Sequence, residues 1–218
     1  VPVRKKPRVA ILATGDEVVD PAEMPKPGQI RDINRFTLSA LTAAAGGVPV
    51  SLGIVGDDPA ALEAVVRRAH RNNDVVLMSG GSSMGQRDHS VEIIDSLGEP
   101  GVLIHGVSIK PGKPLIVGRV GPKAIIGVPG HPVSNMMVFQ VFLKPLLHRL
   151  QGRQAKTEVI WTEAVLSRNL PSASGREDYI RVRLERTEDG LLAHPVLGSS
   201  SMISTMVKAD GFIIVGVD

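Results

Sequence analysis

Five short stretches gather small, hydroxyl and charged residues between apolar runs. Gly80-Gly81-Ser82-Ser83 follows the run beginning at Val75 and precedes Asp88 and a helical pattern. Glycines there let backbone N–H groups approach an anion, and serine hydroxyls add donors. Thr14-Gly15-Asp16-Glu17 and Gly56-Asp57-Asp58 bring carboxylates. Lys110-Pro111-Gly112-Lys113-Pro114 holds two lysines between prolines, and Pro129-Gly130-His131-Pro132-Val133-Ser134 leads into a helical pattern. Carboxylates beside a phosphate-type site suggest a bridging divalent ion, most naturally Mg²⁺ with its hard oxygen ligands. Plainer roles stay open for each residue. Glu17 fits a solvated turn, Asp58 and Asp88 fit helix caps, and the lysines fit solvated side chains. His131, with no second histidine near it in sequence, reads as a turn residue before a metal ligand.

Several familiar patterns are missing: a phosphate loop ending in Gly-Lys-Ser/Thr, a dinucleotide Gly-x-Gly-x-x-Gly and a His-Glu-x-x-His. Gly81-Ser82-Ser83-Met84-Gly85 does match the Gly-x-Ser-x-Gly of a serine hydrolase, with Asp95 and His131 following in hydrolase order. The loop is longer than a nucleophile elbow, so this remains the lesser reading.

The elements that would position these stretches follow from periodicity. Val9–Thr14, Val48–Ile54 and the run from Val75 read as buried strands. Helical spacing begins at Asn34 and ends at Gly46-Gly47, and a second helix is opened by Asp58-Pro59 and closed by Asn72-Asn73. Its apolar stripe is Leu62, Val65, Val66 and Ala69. Val91, Ile94 and Leu97 mark a third helix. Val102–Ile109, Pro114–Val120 and Ala124–Val128 read as strands, and Val133–Leu150 as a largely apolar helix that Lys144-Pro145 should kink or divide. Alternating strands and helices predict a three-layer α/β/α domain with a mostly parallel sheet, which puts these chemistry-bearing loops at one carboxyl edge. Beyond Gly152 the pattern is short strands (Glu158–Leu166, Tyr179–Leu184, Leu191–Val196, Phe212–Val217) without a convincing helix. The expected organisation is a linker over residues 1–7, the α/β domain over 8–152, and a small all-β, barrel-like domain over 153–218, with a final strand possible beyond its end.

The chain has 218 residues, a net charge of +3, no cysteine, one Trp, one Tyr and four Phe. The absence of cysteine excludes disulfides and thiolate chemistry and fits a reducing compartment, hence a cytoplasmic protein. No apolar run approaches the roughly 20 residues that span a bilayer, and the basic N-terminus lacks the apolar core of a secretory signal. Spread basic residues with few aromatics argue against nucleic acid and for a small anionic ligand. The missing initiator Met fits a chain that begins mid-protein.

In their order, Thr14-Gly-Asp-Glu, Gly80-Gly-Ser-Ser-Met-Gly with Asp88, Lys110-Pro-Gly-Lys-Pro and Pro129-Gly-His-Pro-Val-Ser resemble the molybdopterin molybdenumtransferases. This is the MoeA and gephyrin E-domain family of molybdenum-cofactor synthesis. The likeness runs from Arg8 to Gly152 and continues through Gly175-Arg-Glu-Asp-Tyr-Ile-Arg and Gly198-Ser-Ser-Ser. Looser forms of the first motifs also occur in adenylyltransferases of the MogA type, which remains the alternative together with a non-catalytic scaffold of the same fold. The resemblance implies binding of adenylylated molybdopterin, insertion of metal from molybdate and release of AMP, with Mg²⁺. It implies Glu17, Asp57 and Asp88 as the acidic catalytic residues, with Asp57 and Asp88 placed for the metal. Thr14, Gly15, Asp16, Gly80, Gly81, Ser82 and Ser83 would meet the ligand. Lys110, Lys113, Ser134, Arg181 and Ser200 would hold molybdate or phosphate, and Pro129 and Pro132 would shape the cleft. His131 stands where the family usually has Asn, and Ser82 where it usually has Val. The family carries further N-terminal domains and completes its cleft in a homodimer, so the chain is expected to be a C-terminal half that is inactive alone.

Overall fold

The computed structural model describes residues 3–80, 89–153 and 160–217. In chain order the first sheet and its helices are β1 (Arg8–Thr14), β2 (Val18–Val19), β3 (Ile30–Arg31), α1 (Asn34–Ala44), β4 (Val48–Val55), α2 (Pro59–Asn72), β5 (Val75–Ser79), α3 (His89–Ser96), β6 (Pro100–His105), β7 (Ile109–Lys110), β8 (Ile116–Val120) and β9 (Lys123–Val128). A long helix follows as α4 (Pro132–Val138), a π-helical turn (Phe139–Leu143) and α5 (Lys144–Leu150). The remainder comprises β10 (Val165–Leu166), β11 (Glu177–Thr187), β12 (Gly190–Pro195), α6 (Ser204–Val207) and β13 (Gly211–Val215).

The main sheet has the order β4-β1-β5-β9-β8-β6, parallel from β4 to β9 and antiparallel at β8 and β6. Its central strands are apolar on both faces because both are covered. Val9, Ile11, Val75, Leu77, Ile126 and Val128 pack with Leu38 of α1 and Phe139, Leu143 and Leu147 of the long helix. Ala10, Leu12, Val76, Met78 and Ile125 pack with Leu62 and Val66 of α2 and Ile93 and Ile94 of α3. This is the expected three-layer arrangement. Asp58 caps α2 as its composition predicts, accepting the Ala60 amide at 3.0 Å with Pro59 at the first turn.

Some expectations meet a different outcome. Val102–Ile109 is not one strand: Gly106, at φ +83°, breaks it, and Ile109-Lys110 leaves to pair in parallel with Glu177-Asp178 of β11. The second sheet, β10-β12-β11-β13 with β7, is thereby stitched to the first. It also docks through Tyr179, which packs against the main core. The long helix is divided at Lys144-Pro145, as expected: a wider π turn precedes it, and Pro145 serves as a first-turn residue of α5. Finally, the C-terminal part does contain a helical turn, α6, whose four residues are too few to show a period. Of the predicted strand Glu158–Leu166, Val165-Leu166 is a strand, and residues 154–159 lie outside the described ones.

Candidate functional site

The carboxyl edge of the parallel strands opens into a cleft of about 540 Å³. The loops that close it come from the ends of β1, β5 and β9, where strand backbone runs out and its polar groups face outward. The β1 end supplies Thr14 and Glu17, the β5 end Ser79 and Gly80, and the β9 end Pro129, Gly130, His131, Pro132 and Ser134. The segment Val18–Asn34 forms the opposite rim with Val18, Ile30, Arg31, Asp32, Ile33 and Asn34, while Pro114 and Ser201 complete the wall.

Local bonds fix these parts. Gly80 adopts φ +113°, and a Cβ on it would run into the Thr14 carbonyl oxygen, so the β1 and β5 ends touch only because residue 80 is glycine. Ser79 Oγ accepts from Asn34 Nδ2 at 2.9 Å and from Asn135 Nδ2 at 3.2 Å. Asn34 Nδ2 also donates to the Gly130 carbonyl (2.7 Å) and Asn135 Nδ2 to the Pro129 carbonyl (3.1 Å). Carbonyls cannot donate, so both amides are locked in orientation. Their Oδ1 atoms, with Thr14 Oγ1, are buried acceptors lacking a partner among the described residues. One polar network thus clamps rim, strand and long helix together.

The rim is held by charge. Asp32, 1% exposed in its side chain, accepts Arg35 Nε at 2.8 Å, and Arg35 Nη2 reaches Asp20 at 3.2 Å. The Ile30 amide donates to the Glu17 carbonyl at 2.7 Å, tying the β1 loop to the same rim. Asp16 Oδ1 accepts the Asp57 amide at 3.0 Å, which joins the β1 and β4 loops; the exposed Asp57 carboxylate has no partner among the described residues.

From the second sheet, Ser200 reaches the cleft wall: its Oγ lies 2.9 Å from His131 Nδ1, and its carbonyl accepts the Val133 amide at 2.9 Å. Behind it Arg181 is 8% exposed, and its guanidinium donates to the Gly198 carbonyl at 3.1 Å. Burial lowers the Arg181 pKa, and no carboxylate pairs with it among the described residues. Burial first and the Glu177 carboxylate second raise the Tyr179 phenol above its usual range.

Of the residues singled out from sequence, Thr14, Glu17, Gly80, Pro129, Pro132 and Ser134 share the cleft lining. Ser200 stands directly behind His131, with Arg181 next along the loop. Gly15 sits under the Glu17 carboxylate at φ +127°. Asp16 and Asp57 stand on the adjoining loops, and Lys110 and Lys113 are exposed on the β7–β8 turn beside Pro114. None of these last four lines the cleft itself. Gly81, Ser82, Ser83 and Asp88 lie outside the described residues. Arg31, Asp32, Asn34, Ser79 and Ser201 line the cleft without having been singled out. Ser79 carried a signal: it is the polar last residue of an otherwise apolar strand. Among the described residues, no three His, Cys, Asp or Glu side chains gather closely enough to hold a metal alone, nor is any helix long and apolar enough to cross a membrane.

Comparison with known proteins places this arrangement. Residues 10–149 match the family described as a probable molybdopterin binding domain, and residues 163–218 match the MoeA C-terminal region, domain IV. A molybdopterin molybdenumtransferase from Nostoc is 37% identical over 211 residues, covering 95% of this chain and 48% of that protein. One from Haemophilus influenzae is 32% identical over 209 residues, covering 95% and 51%. The crystal structure of a molybdopterin biosynthesis MoeA protein from Pyrococcus horikoshii superposes with a TM-score of 0.81 at 36% identity, covering 97% of this chain and 50% of that one. The two matched regions define a molybdopterin-binding α/β domain followed by a MoeA-type β region. The chain belongs to the molybdopterin molybdenumtransferase family of molybdenum-cofactor biosynthesis. It spans about half the length of the curated relatives it matches.

Proposed function

We propose that the cleft binds adenylylated molybdopterin and takes part in inserting molybdenum from molybdate, with release of AMP. The observation that carries this reading is the convergence of Thr14, Glu17, Gly80, Pro129, Pro132 and Ser134 on one cleft at the carboxyl edge. The match of residues 163–218 to the MoeA C-terminal region favours this over a MogA-type adenylyltransferase.

In this reading the hydroxyls of Thr14 and Ser134, with the glycine-started loop Gly80-Gly81-Ser82-Ser83, receive the anionic ligand, and Gly15 and Asp16 set the β1 loop against it. Ser200, Arg181, Lys110 and Lys113 hold molybdate or phosphate. Arg181 suits that role because it is buried and has no carboxylate partner among the described residues, so an oxyanion would offset its charge. Hydrolysis of the adenylate breaks the phosphoanhydride link. The oxygen of water joins phosphorus, AMP leaves, and Glu17 would accept the proton. The exposed, hard-oxygen carboxylate of Asp57 fits Mg²⁺, which takes one or two carboxylates plus ligand phosphates. Asp57 and Asp88 would hold it, and it would offset repulsion between carboxylates and phosphate. In this reading the protein is cytoplasmic and, by analogy with the family, acts in a homodimer whose partner completes the cleft.

Calorimetric titration with AMP and Mg²⁺ tests this. Saturable binding that Ser134→Ala weakens about tenfold and Asp57→Asn makes independent of Mg²⁺ is the expected result. Absence of binding, or binding indifferent to both substitutions, contradicts it.

A further inference from the structure

His131 lies where the second sheet meets the cleft. Its Nδ1 is 2.9 Å from Ser200 Oγ, and the neighbouring Val133 amide donates to the Ser200 carbonyl at 2.9 Å. Two bonds therefore tie residues 131–133 to Ser200. The ring can keep this tie in either charge state: neutral, Nδ1 accepts the serine hydrogen; protonated, Nδ1–H donates to the serine oxygen. With Nδ1 committed, Nε2 is the ring atom left for a ligand. The same wall carries the buried Ser134 and the exposed Ser201, hydroxyls that suit an oxyanion but bring no charge.

Charged groups stand around it on the neighbouring elements. Glu17, Arg31 and Asp32 face it across the cleft, with Asp32 neutralised by Arg35 and Arg31 Nε donating to the Glu23 carbonyl. Lys113 precedes Pro114 on the wall, and Arg181 stands behind Ser200 with its guanidinium on the Gly198 carbonyl. Between pH about 5 and 8 imidazole is the unperturbed side chain that changes charge.

We propose that His131, positioned by Ser200, is a proton-linked contact for the oxyanion end of the ligand. This rests on the functional reading above and adds regulation to the same site. The sign follows from linkage: a dianion favours the imidazolium, so binding takes up a proton and affinity falls as pH rises.

Titrating the 218-residue chain with molybdate, and separately with sulfate, tests this at pH 6 and pH 8, where both probes remain dianions. Affinity about fivefold higher at pH 6 is expected for a charge of this exposure. His131→Gln should bind equally at the two pH values, and Ser200→Ala, which frees the ring, should flatten the slope. Equal slopes for both probes mark a general tetrahedral dianion site; a slope with molybdate alone marks selectivity for it, and either supports the role of His131. A pH slope that survives in both His131→Gln and His131→Asn, or a wild-type chain without one, overturns it. If AMP binds while oxyanion affinity ignores pH, this inference fails and the functional reading stands. If neither AMP nor oxyanion binds, both fail.

Discussion

Gly80 and Thr14 set how closely the ends of the two central strands can approach. The positive φ of Gly80 and the Thr14 carbonyl against its missing Cβ leave a side chain nowhere to go without moving backbone. Gly80→Ala is expected to cost about 3 kcal/mol of stability through strain and forced displacement, read as a lower midpoint in urea unfolding. It should also weaken AMP binding more than the stability loss accounts for, since the loop carrying Ser79 would shift. The composition of the stretch already pointed to Gly80 as a place of close approach, but the close approach visible in the fold is to Thr14. The asparagine pair was not legible: Asn34 reads as a helix-starting residue and Asn135 as one polar position in an apolar helix. Only the fold shows that both amides converge on Ser79.

The rim segment between β1 and α1 is an element without a periodic core, held by side chains. Its prolines leave room only for the short paired strands β2 and β3, and nothing in them shows that Arg35 would clasp Asp32 and Asp20 together. Removing Arg35 leaves the buried Asp32 carboxylate uncompensated. Arg35→Ala is therefore expected to lose about 3–5 kcal/mol, measured by thermal or urea unfolding. Arg35→Lys should recover little, because one ammonium cannot serve Asp32 through Nε and Asp20 through Nη2. If lysine restores full stability, the clasp is not the cause. The strands and helices of the main sheet were legible because both-face burial makes continuous apolar runs and α2 carries its own cap. The exit of Ile109-Lys110 into another sheet was not. Pairing across sheets leaves no local period, and its partner Glu177-Asp178 lies far along the chain.

At the scale of the molecule, two sheets share one site. The first supplies the floor and most of the wall, and the second reaches over through Ser200, with Arg181 behind it and Tyr179 docked on the main core. The order of the loops along the chain was enough to indicate a composite site at the carboxyl edge. The cleft between rim and long helix needed the tertiary structure, because it depends on how the β1–α1 segment folds back. Relatives about twice as long match the chain over nearly its whole length.

The most direct measurement is a crystal structure of this chain soaked with adenylylated molybdopterin. Ligand density bounded by Thr14, Ser79, Gly80 and Ser134, with its oxyanion end toward His131 and Ser200, is the expected result. Density lodged elsewhere, or an empty cleft at saturating ligand, would contradict it.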